Sequence, residues 1–187
     1  MEKTLNIIPE NPELVFIALN PTKEAIVNGA VFSTSKGFWN LLKNAQIINK
    51  TIDEVELKYR AKEVFLCQKH SEIPLGFADL LPLIDETDSK KVKVHFGVAR
   101  KLINSSPNLK HAKRIALLGQ KVVDSFANEY GLTKWDKIQK DEDGKKQFGF
   151  IGEITNEKNN IRVYAMPFPV NNSIANKHKF YKKLLLP

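Results

Sequence analysis

The run Leu14-Val15-Phe16-Ile17-Ala18-Leu19 constrains the fold most: six apolar residues in a row, stopped at Asn20-Pro21. A continuous apolar stretch of that length reads as a buried strand, and Pro21 disfavours helix at the residue before it. Arg114-Ile115-Ala116-Leu117-Leu118, turned by Gly119, has the same form. Leu75 to Leu81, ended by Pro82, reads as a third strand. Phe148 to Thr155 and Ile161 to Met166 read as two more, joined by the polar loop Asn156–Asn160. Between these runs the period changes. Phe38, Leu41, Leu42, Ala45 and Ile48 keep helical spacing and predict a helix over Lys36–Ile48, with Ser35 as its N-cap. Further helices are predicted over Asp53–Leu66, over Lys91–Ile103, over Lys121–Tyr130 before Gly131, and from near Ser173 to Leu185. Strands alternating with helices predict an α/β protein, a three-layer α/β/α sandwich around a central, mostly parallel sheet. Its ligands are expected at the carboxyl ends of strands. That directs attention to three turns: Asn20–Lys23, Gly119-Gln120-Lys121 and Pro167–Lys177.

Size and charge narrow the partner. The 187 residues suit a single domain spanning 1–187, and 42% of them are hydrophobic, ordinary for a globular chain. The formal charge is +8, which favours a polyanion, because neutralising phosphates releases condensed counterions. The excess is uneven: Lys158, Arg162, Lys177, Lys179, Lys182 and Lys183 lie between Lys158 and Pro187 with no Asp or Glu among them. No stretch approaches the ~20 apolar residues of a membrane span. The first residues carry Glu2 and lack the apolar run of a signal peptide, so a cytoplasmic protein is expected. The single cysteine, Cys67, forms no internal disulfide and cannot hold zinc alone. No Gly-x-Gly-x-x-Gly or Gly-Lys-Ser/Thr loop follows a strand, which disfavours a nucleotide-binding enzyme.

Two of the turns carry residue types suited to chemistry. In Ala18-Leu19-Asn20-Pro21-Thr22, an Asn at a strand end can point its carboxamide into a cleft and orient a water by accepting one of its protons. Asn-Pro is also an ordinary turn initiator, and Phe32, Phe38 and Trp39 by themselves suit a core. Met166-Pro167-Phe168-Pro169 makes a stiff spur, because each proline fixes φ and removes a backbone donor. The amides of Asn171, Asn172 and Asn176, with Ser173 and Lys177, follow it at the mouth of a helix. A rigid connector capped by Asn or Ser would look the same.

Together these segments resemble the uracil-DNA glycosylase superfamily. Ala18-Leu19-Asn20-Pro21-Thr22, Asn28-Gly29-Ala30-Val31-Phe32 and Gly37-Phe38-Trp39 are similar to the first motif of the mismatch-specific uracil-DNA and thymine-DNA glycosylases, Gly-Ile-Asn-Pro-Gly, then Gly-x-x-Phe, then Arg-Phe-Trp. Gly76-Phe77-Ala78-Asp79-Leu80-Leu81 resembles their mid-chain strand, and Ile115 to Lys121 their central strand and turn. Met166-Pro167-Phe168-Pro169 through Asn176-Lys177 resembles the second motif of the single-strand-selective glycosylases, His-Pro-Ser-Pro-Arg-Asn-Pro-Gln-Ala-Asn-Lys.

The resemblance implies a monofunctional DNA glycosylase of base excision repair. It would act on DNA holding a damaged or mismatched base and hydrolyse the N-glycosidic bond of a flipped uracil or related deaminated base. Asn20 would position the water. Phe32 would stack on the base, with Leu19, Pro21, Thr22, Met166 and Phe168 around it. Gln120, Lys121, Asn171, Asn172, Ser173, Asn176 and Lys177 would meet DNA. No metal or cofactor is expected, since hydrolysis needs only a placed water and charge stabilisation. A monomer is favoured, although nothing in the sequence sets the oligomeric state. Met166 and Phe168 stand where the family supplies His or another polar group to the leaving base. That donor must come from backbone N–H groups or from Asn171 and Asn172, unless the base is a better leaving group than uracil. The alternative is a non-catalytic DNA-binding descendant of the same fold.

Overall fold

The apolar runs become the strands of one sheet. The computed structural model describes residues 5–84, 86, 88–156, 159–170 and 176–186. In it, β1 (Leu14–Ala18), β2 (Leu75–Asp79), β3 (Arg114–Leu118), β4 (Gly149–Thr155) and β5 (Asn160–Met166) lie in the order β2-β1-β3-β5-β4. β2, β1, β3 and β5 are parallel, and β4 pairs antiparallel with β5 across a bulge between Phe150 and Gly152. All five residues of β1 are buried, as expected of a parallel strand covered on both faces. The chain leaves β1 for one side of the sheet and then crosses to the other, so a crevice opens at the carboxyl ends where the order reverses.

Alternation along each strand splits the core in two. Phe16, Ala18, Phe77, Leu118 and Met166 face a layer holding α2 (Lys36–Asn44) and α5 (Lys177–Lys182). Val15, Ile17, Leu117 and Val163 face α3 (Val98–Ser105) and α4 (Gln120–Tyr130). The first layer is aromatic: Phe16 meets Phe38 edge-on at 6.0 Å and stacks with Tyr181 at 6.4 Å. Ser35 caps α2 as its sequence predicts, accepting from Phe38 N–H at 3.4 Å.

Several helices differ from their predicted spans. α2 ends at Asn44 rather than Ile48, because Gln46 takes a left-handed φ of 61° and turns Ile47 and Ile48 back into the core. The helix expected over Asp53–Leu66 is broken into short turns at Lys50–Glu54, Leu57–Tyr59 and Lys62–Leu66. Its apolar residues change spacing between Val55 and Leu57, and the chain extends at Val55 to bury both sets. α3 begins at Val98, not Lys91: Gly97 at φ 92° resets the chain, and the buried Glu129 carboxylate accepts from Ala99 and Arg100 N–H at 3.1 and 2.9 Å. α5 runs over Lys177–Lys182 and tightens to a 3-10 turn to Leu185. The predicted start of that helix, at Ser173, lies outside the described residues. Unforeseen is α1 (Lys23–Asn28), capped by Thr22 and ended by Gly29. No helix among the described residues is long and apolar enough to cross a membrane.

Candidate functional site

β1 carries Asn20 to the carboxyl rim of the sheet. Past Asp79, the chain stays paired to β1: Leu80 N–H donates to Ala18 O at 2.8 Å and Leu81 N–H to Leu19 O at 2.9 Å. The segment beyond then curls over Asn20. Asn20 Nδ2 donates to the carbonyls of Pro21 at 3.0 Å, Ile84 at 3.0 Å and Glu86 at 2.8 Å. Three acceptors around one nitrogen fix which way the amide lies, and no described residue donates to Oδ1. The end left without a donor among the described residues is therefore the acceptor, the end able to accept a hydrogen bond from water.

Asn20 lines a cavity of about 240 Å³, smaller than the pockets that hold drug-sized ligands and suited to a single heterocycle. Ala18, Phe77 and Asp79 contribute to its lining from the sheet, Pro21 and Thr22 from the turn after β1, and Phe32 to Ser35 from the segment before α2. Phe32 stacks on Phe38 at 3.8 Å and 17°, and meets Phe77 edge-on at 5.6 Å. Its φ is 51°, a conformation costing on the order of 1–3 kcal/mol at a non-glycine residue and concentrated at ligand sites. Its carbonyl holds the turn by accepting from Trp39 Nε1 at 3.2 Å and Ser35 N–H at 3.1 Å.

The proline spur reaches the same cavity from the far turn. Pro167 and Pro169 are buried, whereas Phe168 and Val170 are 37% and 44% exposed and line the cavity. Two side chains of α5 hold the spur: Tyr181 Oη donates to Pro167 O at 2.8 Å and Lys177 Nζ to Pro169 O at 3.0 Å. Phe168 rests on Gly119, where a Cβ would stand 3.7 Å from Phe168 Cβ; φ there is 91°, which favours glycine. Tyr181→Phe should leave the Pro167 carbonyl unpaired in the core and lower stability by about 1–3 kcal/mol. Urea denaturation checks this; an unchanged midpoint would show the clamp to be dispensable.

Several predicted site residues have other work. Met166 is fully buried in the aromatic layer, on the same sheet face as Ala18 and Phe77, and does not line the cavity. Leu19, next after Ala18, faces the opposite layer by alternation. Lys121 is engaged internally: its Nζ donates to the carbonyls of Ser89 at 2.5 Å, Lys90 at 3.2 Å and Val92 at 2.7 Å, tying down the segment before α3. Gln120 and Lys121 line a separate cleft with Val92, His95 and Phe96. Lys177 is buried with its amine on Pro169 O, and burial pulls its pKa below the usual lysine value. Asn176 is exposed at the N-cap of α5. Asn171, Asn172 and Ser173 lie outside the described residues. The cationic groups left exposed near these elements are Lys23 and Lys36, at the starts of α1 and α2, and Lys179 and Lys182 on α5.

Sequence reasoning gave no role to Asp79. It is 1% exposed, its N–H donates to Asn6 Oδ1 at 2.8 Å, and its Oδ2 has no hydrogen-bond partner. Burial pushes its pKa up to about 7. The signal was available: Leu75, Phe77 and Asp79 alternate onto one face, and a carboxyl on an inward strand face is rare unless paired. Among the described residues no group of three or more His, Cys, Asp or Glu is placed to hold a metal ion. Set beside known proteins, the chain matches no family model, and no curated protein is significantly similar to it in sequence.

Proposed function

We propose that the protein is a monofunctional DNA glycosylase with a uracil-DNA glycosylase-like three-layer fold. In this reading it removes uracil or a related deaminated base after flipping it from the helix. One observation carries the reading: residues far apart along the chain, Asn20–Thr22 in one turn and Phe168 and Val170 in another, line one small cavity whose wall includes Phe32. An extruded base enters that cavity against Phe32, at a few kcal/mol of unstacking, least for a mismatched or unpaired base. The Asn20 amide, anchored through nitrogen, offers its oxygen to the attacking water. Phe168 and Val170, apolar and exposed on a stiff support, occupy the gap left in the stack, as apolar wedges do in deformed DNA. Exposed lysines around these elements and the +8 charge supply the sequence-independent attraction to phosphate.

The test is a panel of labelled oligonucleotides carrying uracil, hypoxanthine, xanthine or a thymine mispair, single- and double-stranded, with alkali to reveal abasic product. Cleavage of at least one member is expected. One feature favours a second reading, a non-catalytic DNA-binding protein: Met166 is withdrawn into the core and Phe168 has no polar group to give. Binding to every oligonucleotide without cleavage would select it.

A further inference from the structure

Asp79 does nothing for the fold that an apolar residue would not do better. Its Oδ2 is buried without a partner, and the residue lines the same cavity as Asn20. An unpaired buried polar atom is destabilising, and such atoms concentrate at working sites. In the glycosylase reading, the described part of the spur leaves one component of the reaction to be supplied. Cleaving an N-glycosidic bond leaves negative charge on the departing base, and a donor aimed at that charge acts mainly in the transition state. The spur after β5 offers no side-chain donor from Met166 or Phe168. We propose that Asp79, as the neutral acid, donates the hydrogen bond that stabilises the departing base, supplying from β2 what the β5 turn lacks.

The inference rests on the glycosylase reading. The C1′–N bond breaks with its electron pair going to the base. The water oxygen bonds C1′, and the proton it loses balances the one the base takes up. Asp79 keeps its own proton throughout, shared with a carbonyl oxygen of the base. For that it must be neutral near physiological pH, as a carboxylic acid in an apolar site can be. Burial alone raises its pKa to about 7. Among the described residues, Glu24, exposed at the start of α1, is the one other ionisable side chain lining the cavity, and the described turn, spur and strand residues that line it with Asp79 bring no charge. A base carbonyl against the acid's O–H would hold the proton more firmly still.

The experiment is single-turnover cleavage of uracil- and 5-fluorouracil-containing oligonucleotides from pH 5.5 to 9, with wild type, Asp79→Ala and Asp79→Asn. Fluorine makes the base a better leaving group, less in need of stabilisation. Asp79→Ala should lose on the order of 10²–10³ in rate on uracil and distinctly less on 5-fluorouracil. Asp79→Asn keeps an N–H donor and should retain most of the rate. The wild-type rate should fall as pH rises through the Asp79 pKa, and that fall should vanish in Asp79→Asn. A wild-type rate in Asp79→Ala overturns the proposal, as does equal loss on both bases or an unaltered pH profile in Asp79→Asn. If wild type cleaves neither base, nor any member of the wider panel, the glycosylase reading itself fails and this inference with it.

Discussion

Asn20→Ala should lower the single-turnover cleavage rate by about 10²-fold or more while DNA affinity changes little. In the glycosylase reading, affinity would rest on exposed cations and the spur, whereas the rate would rest on one water being held against the sugar by the Asn20 amide oxygen. Asn20→Asp separates the two ends of this side chain. A carboxylate keeps the acceptor but cannot donate to the carbonyls of Ile84 and Glu86, and it places negative charge against them. Asn20→Asp is therefore expected to release the segment after β2 and fall in rate despite being the better base. Hydrogen exchange at residues 81–86, beside the rate measurement, checks both halves. Unchanged turnover in Asn20→Ala would remove this residue from the chemistry.

The second large effect concerns stability. The carboxyl of Asp79 has an ordinary pKa near 3.8 and one of about 7 in the folded protein. Below pH 3.8 both states are protonated and burial carries no ionic penalty. Between the two values the folded protein keeps a proton that the unfolded chain gives up, so stability falls as pH rises through that window and levels off above pH 7. The full difference corresponds to about 4 kcal/mol. Asp79→Asn has no such titration. Its stability relative to wild type should climb between pH 4 and pH 8, by up to about 4 kcal/mol, on the order of 10 °C in Tm for a chain of this size. Calorimetry at pH 4, 6 and 8 measures it. A difference that stays constant across pH would mean that water reaches the carboxyl and that its pKa is ordinary.

The strands were readable because each is a run with nothing ambiguous in it: Leu14–Ala18 and Arg114–Leu118 fit no other buried element of that length. Helix boundaries were read less well, for reasons that lie in tertiary structure. Nothing local says that Gln46 takes a left-handed conformation, or that Glu129, thirty residues on, caps the amino end of α3. The same holds at the site. Asn20, Phe32 and Phe168, which line one cavity, are marked in the sequence by turns and motifs. Lys121 and Lys177 looked like phosphate contacts because charge was visible and the carbonyls that engage them were not. Met166 was placed in the cavity by its position in a motif, whereas in the structure it is packed wholly within the aromatic layer. Asp79 passed without a role although alternation already places it on an inward face; that its Oδ2 has no partner is visible only in three dimensions.

The reversed direction of β4 has a practical corollary. Four parallel strands deliver their following turns to one rim, the rim that holds the cavity. Thr155 and Asn160, paired where β4 ends and β5 begins, therefore lie at the opposite pole. A fluorophore or surface tether attached beside them would report on or immobilise the molecule while leaving the cavity rim unobstructed.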